Sequence, residues 1–185
     1  MNIVLLMLLI AQFEPDPGFS LATLRARLQA RNDLISAIMW IGHLWYFNFT
    51  QTPTMPKIPT ELRPAVVRFI LPEALFWFRW GAMFTLIFGL ILAHMNGYLL
   101  EAIKLGIGSN NHKFTAIGFG MWLGTIMWFN VWFIIMPNQN KVMGVTPATP
   151  DEVNAARRLA GLTSRVNTML SIPMLYGMVF AAHYY

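Results

Sequence analysis

FTAIGFGMWLGTIMWFNVWFIIM, residues 114–136, carries no charged side chain from end to end. A helix rises about 1.5 Å per residue and the hydrocarbon core of a bilayer is about 30 Å thick, so a run of this length reaches from face to face. Three further stretches read the same way: Leu34 to about Gln51, Pro72 to Met95 interrupted only by Glu73 and Arg79, and Val166–Tyr185, bent near Pro173. The expectation is an all-α, integral membrane four-helix transmembrane bundle. It forms a single transmembrane domain over 1–185, with spans at about 34–51, 72–95, 114–136 and 166–185.

Bulk composition agrees. Of 185 residues 56% are hydrophobic and 11% charged, with a mean hydropathy of +0.51. A soluble domain carries about 25% charged residues. The cysteine count of 0 excludes disulfides, thiolate metal sites and covalent c-type haem attachment. A net charge of +5 fits loop Lys and Arg facing anionic headgroups, and no nucleic-acid partner is expected.

Residues 2–12, NIVLLMLLIAQ, are apolar but too short to span, at roughly 16 Å as a helix. They read as a half-buried anchor, a short extra membrane helix or an uncleaved signal-like start. With no Lys or Arg before the apolar run and no A-x-A site after it, a cleaved signal peptide is not expected. The EPDPG at Glu14–Gly18 breaks the chain. Over about 20–32, Leu21, Leu24 and Leu28 share one face while Arg25, Arg27 and Arg31 occupy the rest, the pattern of an interfacial amphipathic helix. A second surface helix is predicted over about 150–164, with Thr149 as N-cap, Pro150 at the first position and Glu152 closing a capping box. Pro53, Pro56, Pro59 and Pro64 make the first inter-span loop irregular.

Let side A hold the start of the first span, the 96–113 loop and the C-terminus. Side A then carries Arg25, Arg27, Arg31, Lys104 and Lys113. Side B carries Lys57, Arg63, Arg68, Lys141, Arg157, Arg158 and Arg165, which favours a cytoplasmic side B by a narrow margin.

Ionisable groups inside a membrane are costly and face the bundle interior. Counting rise along each span puts Asn48 about 9 Å, Arg79 about 10 Å and Asn130 about 6 Å from side B, with His43 a turn or so deeper. The expectation is one polar layer in which Asn48, Arg79 and Asn130 bind substrate and His43 and Arg79 act in catalysis. An anionic ligand or a haem propionate would satisfy the arginine. Snorkelling of Arg79 and interhelical hydrogen bonding by the two asparagines are the bland alternatives. Bis-imidazole haem b needs two ring nitrogens facing each other at similar depth. His94 and His183, both near side A, meet that test; His43 is the other candidate haem ligand, and His112 lies in a loop. The aromatics around Trp40–Phe49 and Phe76–Trp80 read as interface belts and packing rather than a cofactor box. Gly120-x-x-x-Gly124 permits close approach of another helix.

WIGHLWYFNFTQ (40–51), ALFWFRWGAMFTLIFGLIL (74–92), GMWLGTIMWFNVWFIIMPNQ (120–139) and SRVNTMLSIPML (164–175) together resemble the membrane-bound bacterial urate oxidase, or urate hydroxylase, family over about residues 34–183. The resemblance implies a multi-pass protein of the bacterial inner membrane. It also implies oxidation of urate to 5-hydroxyisourate, with electrons passing to a C-terminal cytochrome c domain. This sequence departs from that pattern: it has no CxxCH and reads as only the first half of the membrane part. Two functions follow. One is a redox-associated membrane protein that binds haem or an anionic purine and passes electrons to a partner cytochrome c. The other is a non-catalytic accessory subunit of a respiratory or photosynthetic complex, packed on other membrane subunits or on copies of itself.

Overall fold

The computed structural model describes residues 21–107 and 112–183; the short apolar segment 2–12 and the break at 14–18 lie outside the described residues. Every regular element among those residues is helical. Helix α1 (Leu21–Trp45) runs on through a π-helical turn, Tyr46–Gln51, into Thr52–Thr54 and a 3₁₀ turn, Met55–Lys57. Helix α2 (Leu71–Met95) is led by Arg63–Ala65 and a π-helical turn, Val66–Ile70. A short crossing helix, α3 (Leu99–Ile103), precedes α4 (His112–Phe129), which continues through a third π-helical turn, Asn130–Ile135, into Met136–Val142. Helix α5 (Pro150–His183) is 34 residues long. Two continuous helices, Arg63–Met95 and His112–Val142, are long and apolar enough to cross a membrane.

The surface helix expected at about 20–32 is continuous with the first apolar stretch, and that at about 150–164 with the last. Nothing between Leu21 and Gln51 breaks a helix: Asn32 and Asp33 are weak helix formers, but neither removes a backbone donor. The capping box forms as its residues dictate. The Glu152 carboxylate accepts from the Thr149 backbone N–H (2.8 Å) and hydroxyl (3.0 Å), and the Glu152 N–H donates to Thr149 Oγ1 (3.3 Å). The Thr149 backbone N–H first, and its hydroxyl second, hold the Glu152 carboxyl below its ordinary range.

The three π-helical turns share a cause. Each ends just ahead of a proline: Pro53, Pro72 and Pro137. In each case the residue before the proline donates its N–H five residues back rather than four: Thr52 to Phe47, Leu71 to Val66 and Met136 to Val131. A proline inside a helix has no N–H and its ring crowds the carbonyl four residues earlier. Widening the turn by one residue relieves that clash without ending the helix. Prolines that the sequence suggests as terminators therefore sit within continuous helices, and all three lie toward side B.

Packing pairs the long helices into two antiparallel hairpins, α1 with α2 and α4 with α5, linked by α3 lying on α4. The hairpins close tightly because small residues face backbone. A methyl on Gly81 would sit 3.0 Å from the Trp40 nitrogen, and one on Gly177 would sit 2.9 Å from the Ala116 carbonyl oxygen. One on Gly118 would collide with the Ala102 carbonyl of α3. Along α5 the buried stripe Ala156, Ala160, Thr163, Asn167, Ser171, Met174 and Ala181 is small and partly polar, so α4 approaches closely. The hairpins meet in a core of Trp40, Leu44, Leu75, Phe78, Met127 and Val131. Large apolar side chains point outward from the long helices: Phe84 and Leu90 on α2, Trp122 and Phe129 on α4, Met169, Ile172 and Tyr176 on α5.

Candidate functional site

Arg79 lies in the apolar stretch of α2, within a helix long and apolar enough to cross a membrane. Its Nε is buried and makes no hydrogen bond. Two indoles flank the guanidinium: Arg79 Cζ stands 5.6 Å from the Trp80 ring centroid and 5.3 Å from that of Trp132. Trp132 arrives from the π-helical turn of α4, and its own Nε1 is buried without a partner. The two indoles meet edge to face at 5.8 Å. Side chains lean toward the N-terminus of their helix, so in antiparallel α2 and α4 Arg79 and Trp132 lean toward one another. The ring faces stabilise the cation, as a quadrupole does for a guanidinium taken out of water. Two in-plane donors of these side chains, Arg79 Nε and Trp132 Nε1, have no hydrogen-bond partner.

The two asparagines are engaged elsewhere. Asn48 Nδ2 donates to Ser164 Oγ (2.7 Å) and to the Leu44 carbonyl (2.9 Å). Asn130 Nδ2 donates to Asn167 Oδ1 (2.8 Å), and Asn167 Nδ2 donates to the Met127 carbonyl (3.0 Å). Trp45 Nε1 reaches Ser171 Oγ at 3.3 Å. Helix α5 thus supplies a ladder of small polar partners that fixes α1 and α4. Ser164, Asn167, Thr168 and Ser171 are spaced along one face of α5, a pattern that becomes readable only once the facing helices are known. The approach of Gly81 to Trp40 sets the α1–α2 register, which puts Asn48 level with Glu73, roughly 9 Å along the axis from Arg79. The structure therefore brings Arg79 to Trp132, and it ties Asn48 and Asn130 to adjacent turns of α5.

His43 falls level with Phe78 in the same register, beside Arg79. Its Nδ1 is 2.7 Å from the Met39 carbonyl. A carbonyl only accepts, so Nδ1 carries the hydrogen, and neutral His43 keeps a lone pair on Nε2. A histidine that ligates a metal or takes up a proton is oriented in this way. His94 is exposed in the last turn of α2 and level with about residue 27, roughly 24 Å along the axis from His43, so these two cannot share one iron. His112 is exposed at the start of α4; His183 is the last residue of α5, its side chain outside the described part. Among the described residues no three His, Cys, Asp or Glu side chains are grouped to hold a metal ion.

A cavity of ≈ 70 Å³ opens between the hairpins toward side A. Asp33, Ala37 and Trp40 of α1, Thr85 and Gly89 of α2, Gly124 and Thr125 of α4, and Met174 and Met178 of α5 contribute to its wall. Asp33 Oδ1 and Trp40 Nε1 are buried there without hydrogen-bond partners. Nearby Tyr98 has its phenol raised above the ordinary value, by burial first and by the Asp33 carboxylate second. The sequence hides this site because Asp33 stands where an arginine-rich surface segment meets an apolar one.

Residues 107–185 match the family model described as Urate oxidase N-terminal. That segment is urate oxidase N-terminal-like. It contains Asn130, Trp132 and Asn167 with the whole α4–α5 hairpin, whereas His43, Asn48 and Arg79 lie upstream of it. No curated protein and no solved structure matches the chain.

Proposed function

We propose that the protein is a four-helix membrane domain of the urate oxidase type whose Arg79–Trp132 junction binds a planar organic anion of the purine class. The observation that carries this is that Arg79 Nε and Trp132 Nε1 are both buried and unpartnered, on side chains whose guanidinium carbon and ring centroid stand 5.3 Å apart. An anion with in-plane oxygens would accept from both donors, and its ring would stack on an indole. Charge-assisted hydrogen bonds of this kind are roughly twice as strong as neutral ones. Removal of two electrons from a urate-type anion also releases protons, and His43 Nε2, one helix away at the same level, is placed to take one. Electrons would leave to a cytochrome c partner. A haem b, if bound, would supply one-electron acceptance; His43 Nε2 would then hold the iron and would no longer be free to take a proton. Helices α1 and α5 would complete the membrane bundle, since α5 turns Met169, Ile172 and Tyr176 outward although its arginines lower its mean hydropathy.

Urate titrated into the protein in lipid nanodiscs tests the reading. Arg79→Ala is expected to weaken binding by about 10- to 100-fold, the equivalent of roughly 1.5–3 kcal/mol for a charged hydrogen bond. Trp132→Phe, which keeps the ring and removes the donor, is expected to weaken it by several fold. Unchanged affinity in a folded Arg79→Ala protein removes Arg79 from the site. No urate binding to the wild-type chain, together with no Soret band after purification with haem supplied, leaves the accessory-subunit reading in its place.

A further inference from the structure

Helices α2 and α5 stand at opposite corners of the bundle: each packs on α1 and on α4, and both run from side B to side A. Each turns one narrow stripe away from the core. On α2 the stripe is Glu73, Trp77, Trp80 and Phe84; on α5 it is Arg165, Met169, Ile172 and Tyr176. All are exposed except half-buried Trp80. Both stripes advance by four, three and four residues, the spacing at which two parallel helices stay in contact along their length.

The two stripes also share their depth. Trp40 against Gly81 and Asp33 against Gly89 put Asn48 level with Glu73. Asn48 donates to Ser164 Oγ at 2.7 Å, which brings Arg165 to the same level. Equal steps from there set Trp77 level with Met169, Trp80 with Ile172 and Phe84 with Tyr176. Copies of one chain in one membrane sit at one depth, so these levels hold between molecules.

Charge decides what covers the stripes. Glu73 and Arg165 stand at the side-B edge of their apolar runs and form no ion pair among the described residues. Trp77 Nε1 donates to the Glu73 carboxylate (3.2 Å), holding it along the outer face. Ionisable groups at membrane depth pair with one another. A two-fold contact of α5 on α5, or of α2 on α2, would set like charge on like at this level. Anionic headgroups would answer Arg165 but repel Glu73. The α5 stripe of one copy against the α2 stripe of another sets base on acid, and Met169 on the Trp77 indole, a favourable thioether contact.

We propose that the protein self-associates head to tail in the membrane, the α5 stripe of one copy packing along the α2 stripe of the next with Arg165 paired to Glu73. Because the two faces lie at opposite corners, each copy keeps a face for a further one, and the contact builds a ring or a row. It rests on α2 and α5 both crossing the membrane, and not on ligand binding at Arg79, so a chain that fails to bind urate can still associate.

Phe84→Cys and Tyr176→Cys chains with different tags test this, in a sequence whose cysteine count is 0. Co-expressed at low level in one bacterial membrane and oxidised with copper phenanthroline, they should give a mixed disulfide dimer. Either chain alone should give several-fold less. Arg165→Glu in the Tyr176→Cys chain should cut the mixed product several-fold. Adding Glu73→Arg to the Phe84→Cys chain should restore it, which separates a lost contact from a misfolded chain. Urate titration of the same chains reads the Arg79 site separately. Mixed product no greater than that of either chain alone, equal yield with Arg165→Glu, or no recovery on the double swap overturns the proposal.

Discussion

Asn167 exposes 0% of its surface and spends both ends of its amide, accepting from Asn130 and donating to the Met127 carbonyl. Replacing it by alanine removes two interhelical hydrogen bonds and strands the Asn130 amide at a buried interface. Such bonds inside a membrane are worth about 0.6–1.7 kcal/mol each, and an orphaned buried group costs about 1–3 kcal/mol. Asn167→Ala should therefore lose at least about 2 kcal/mol, read as a lower unfolding midpoint in a detergent denaturation series. Asn130→Ala/Asn167→Ala should lose less than the sum of the single variants, because the partner left behind is then gone too. Arg79 and His43 are legible in the sequence, since an ionisable residue in an apolar run has few explanations. Asn167 and Asp33 are not. An asparagine in a polar-to-apolar transition is indistinguishable from a solvated one until the facing helix is known, and Asp33 has arginines nearby that invite a surface assignment.

Among the elements, the π-helical turn at Asn130–Ile135 decides what α4 presents to its neighbours. The extra residue turns Val131, Ile135 and Met136 inward, at 0%, 2% and 8% exposure, and sets Trp132 on Arg79. Pro137 permits the turn, but packing holds it. Pro137→Ala restores one backbone donor, worth about 0.5–1.5 kcal/mol in an ordinary helix. Reverting to α-geometry would rotate the three inward side chains by about 100° and unpack them, at about 2 kcal/mol or more for a large residue. Packing wins. Pro137→Ala should keep its turn and its affinity for urate, with stability changed by about 1 kcal/mol or less. Deleting exposed Phe133 removes the extra residue itself and should abolish binding; equal affinity in the deletion variant would show that the turn does not position Trp132. The capping box at Thr149 is readable because it is local. The π-helical turns are not, because the same proline ends a helix in one packing context and widens it in another.

For the whole molecule, hydropathy singles out two crossing helices, yet the outward faces of α1 and α5 are apolar as well. Ile35 and Trp45 on α1, and Ile172 and Tyr176 on α5, are exposed at 53%, 43%, 62% and 70%. Large apolar side chains exposed on successive turns of one helix are unusual where that face meets water. The sequence shows how many long helices there are, but their register rests on contacts such as Gly81 on Trp40 and Gly177 on Ala116, which no single helix reveals. Two topologies compete: all four helices cross, or α2 and α4 cross while α1 and α5 lie on side B. The cysteine count of 0 allows a clean test with single cysteines and a membrane-impermeant maleimide on sealed, oriented vesicles. Gly97→Cys reports side A, and Gly144→Cys reports side B, in either topology. Ala30→Cys, exposed on α1, separates them. If α1 crosses, Ala30→Cys labels with Gly97→Cys; if α1 lies on side B, it labels with Gly144→Cys. If α2 crosses, as proposed, the antiparallel packing of α1 on α2 over their shared length, from Trp40 against Gly81 to Asp33 against Gly89, predicts the first outcome. A helix held along its length against a crossing helix cannot also lie flat on the membrane. Labelling of Ala30→Cys from side B would therefore break the hairpin as well as the four-helix membrane reading.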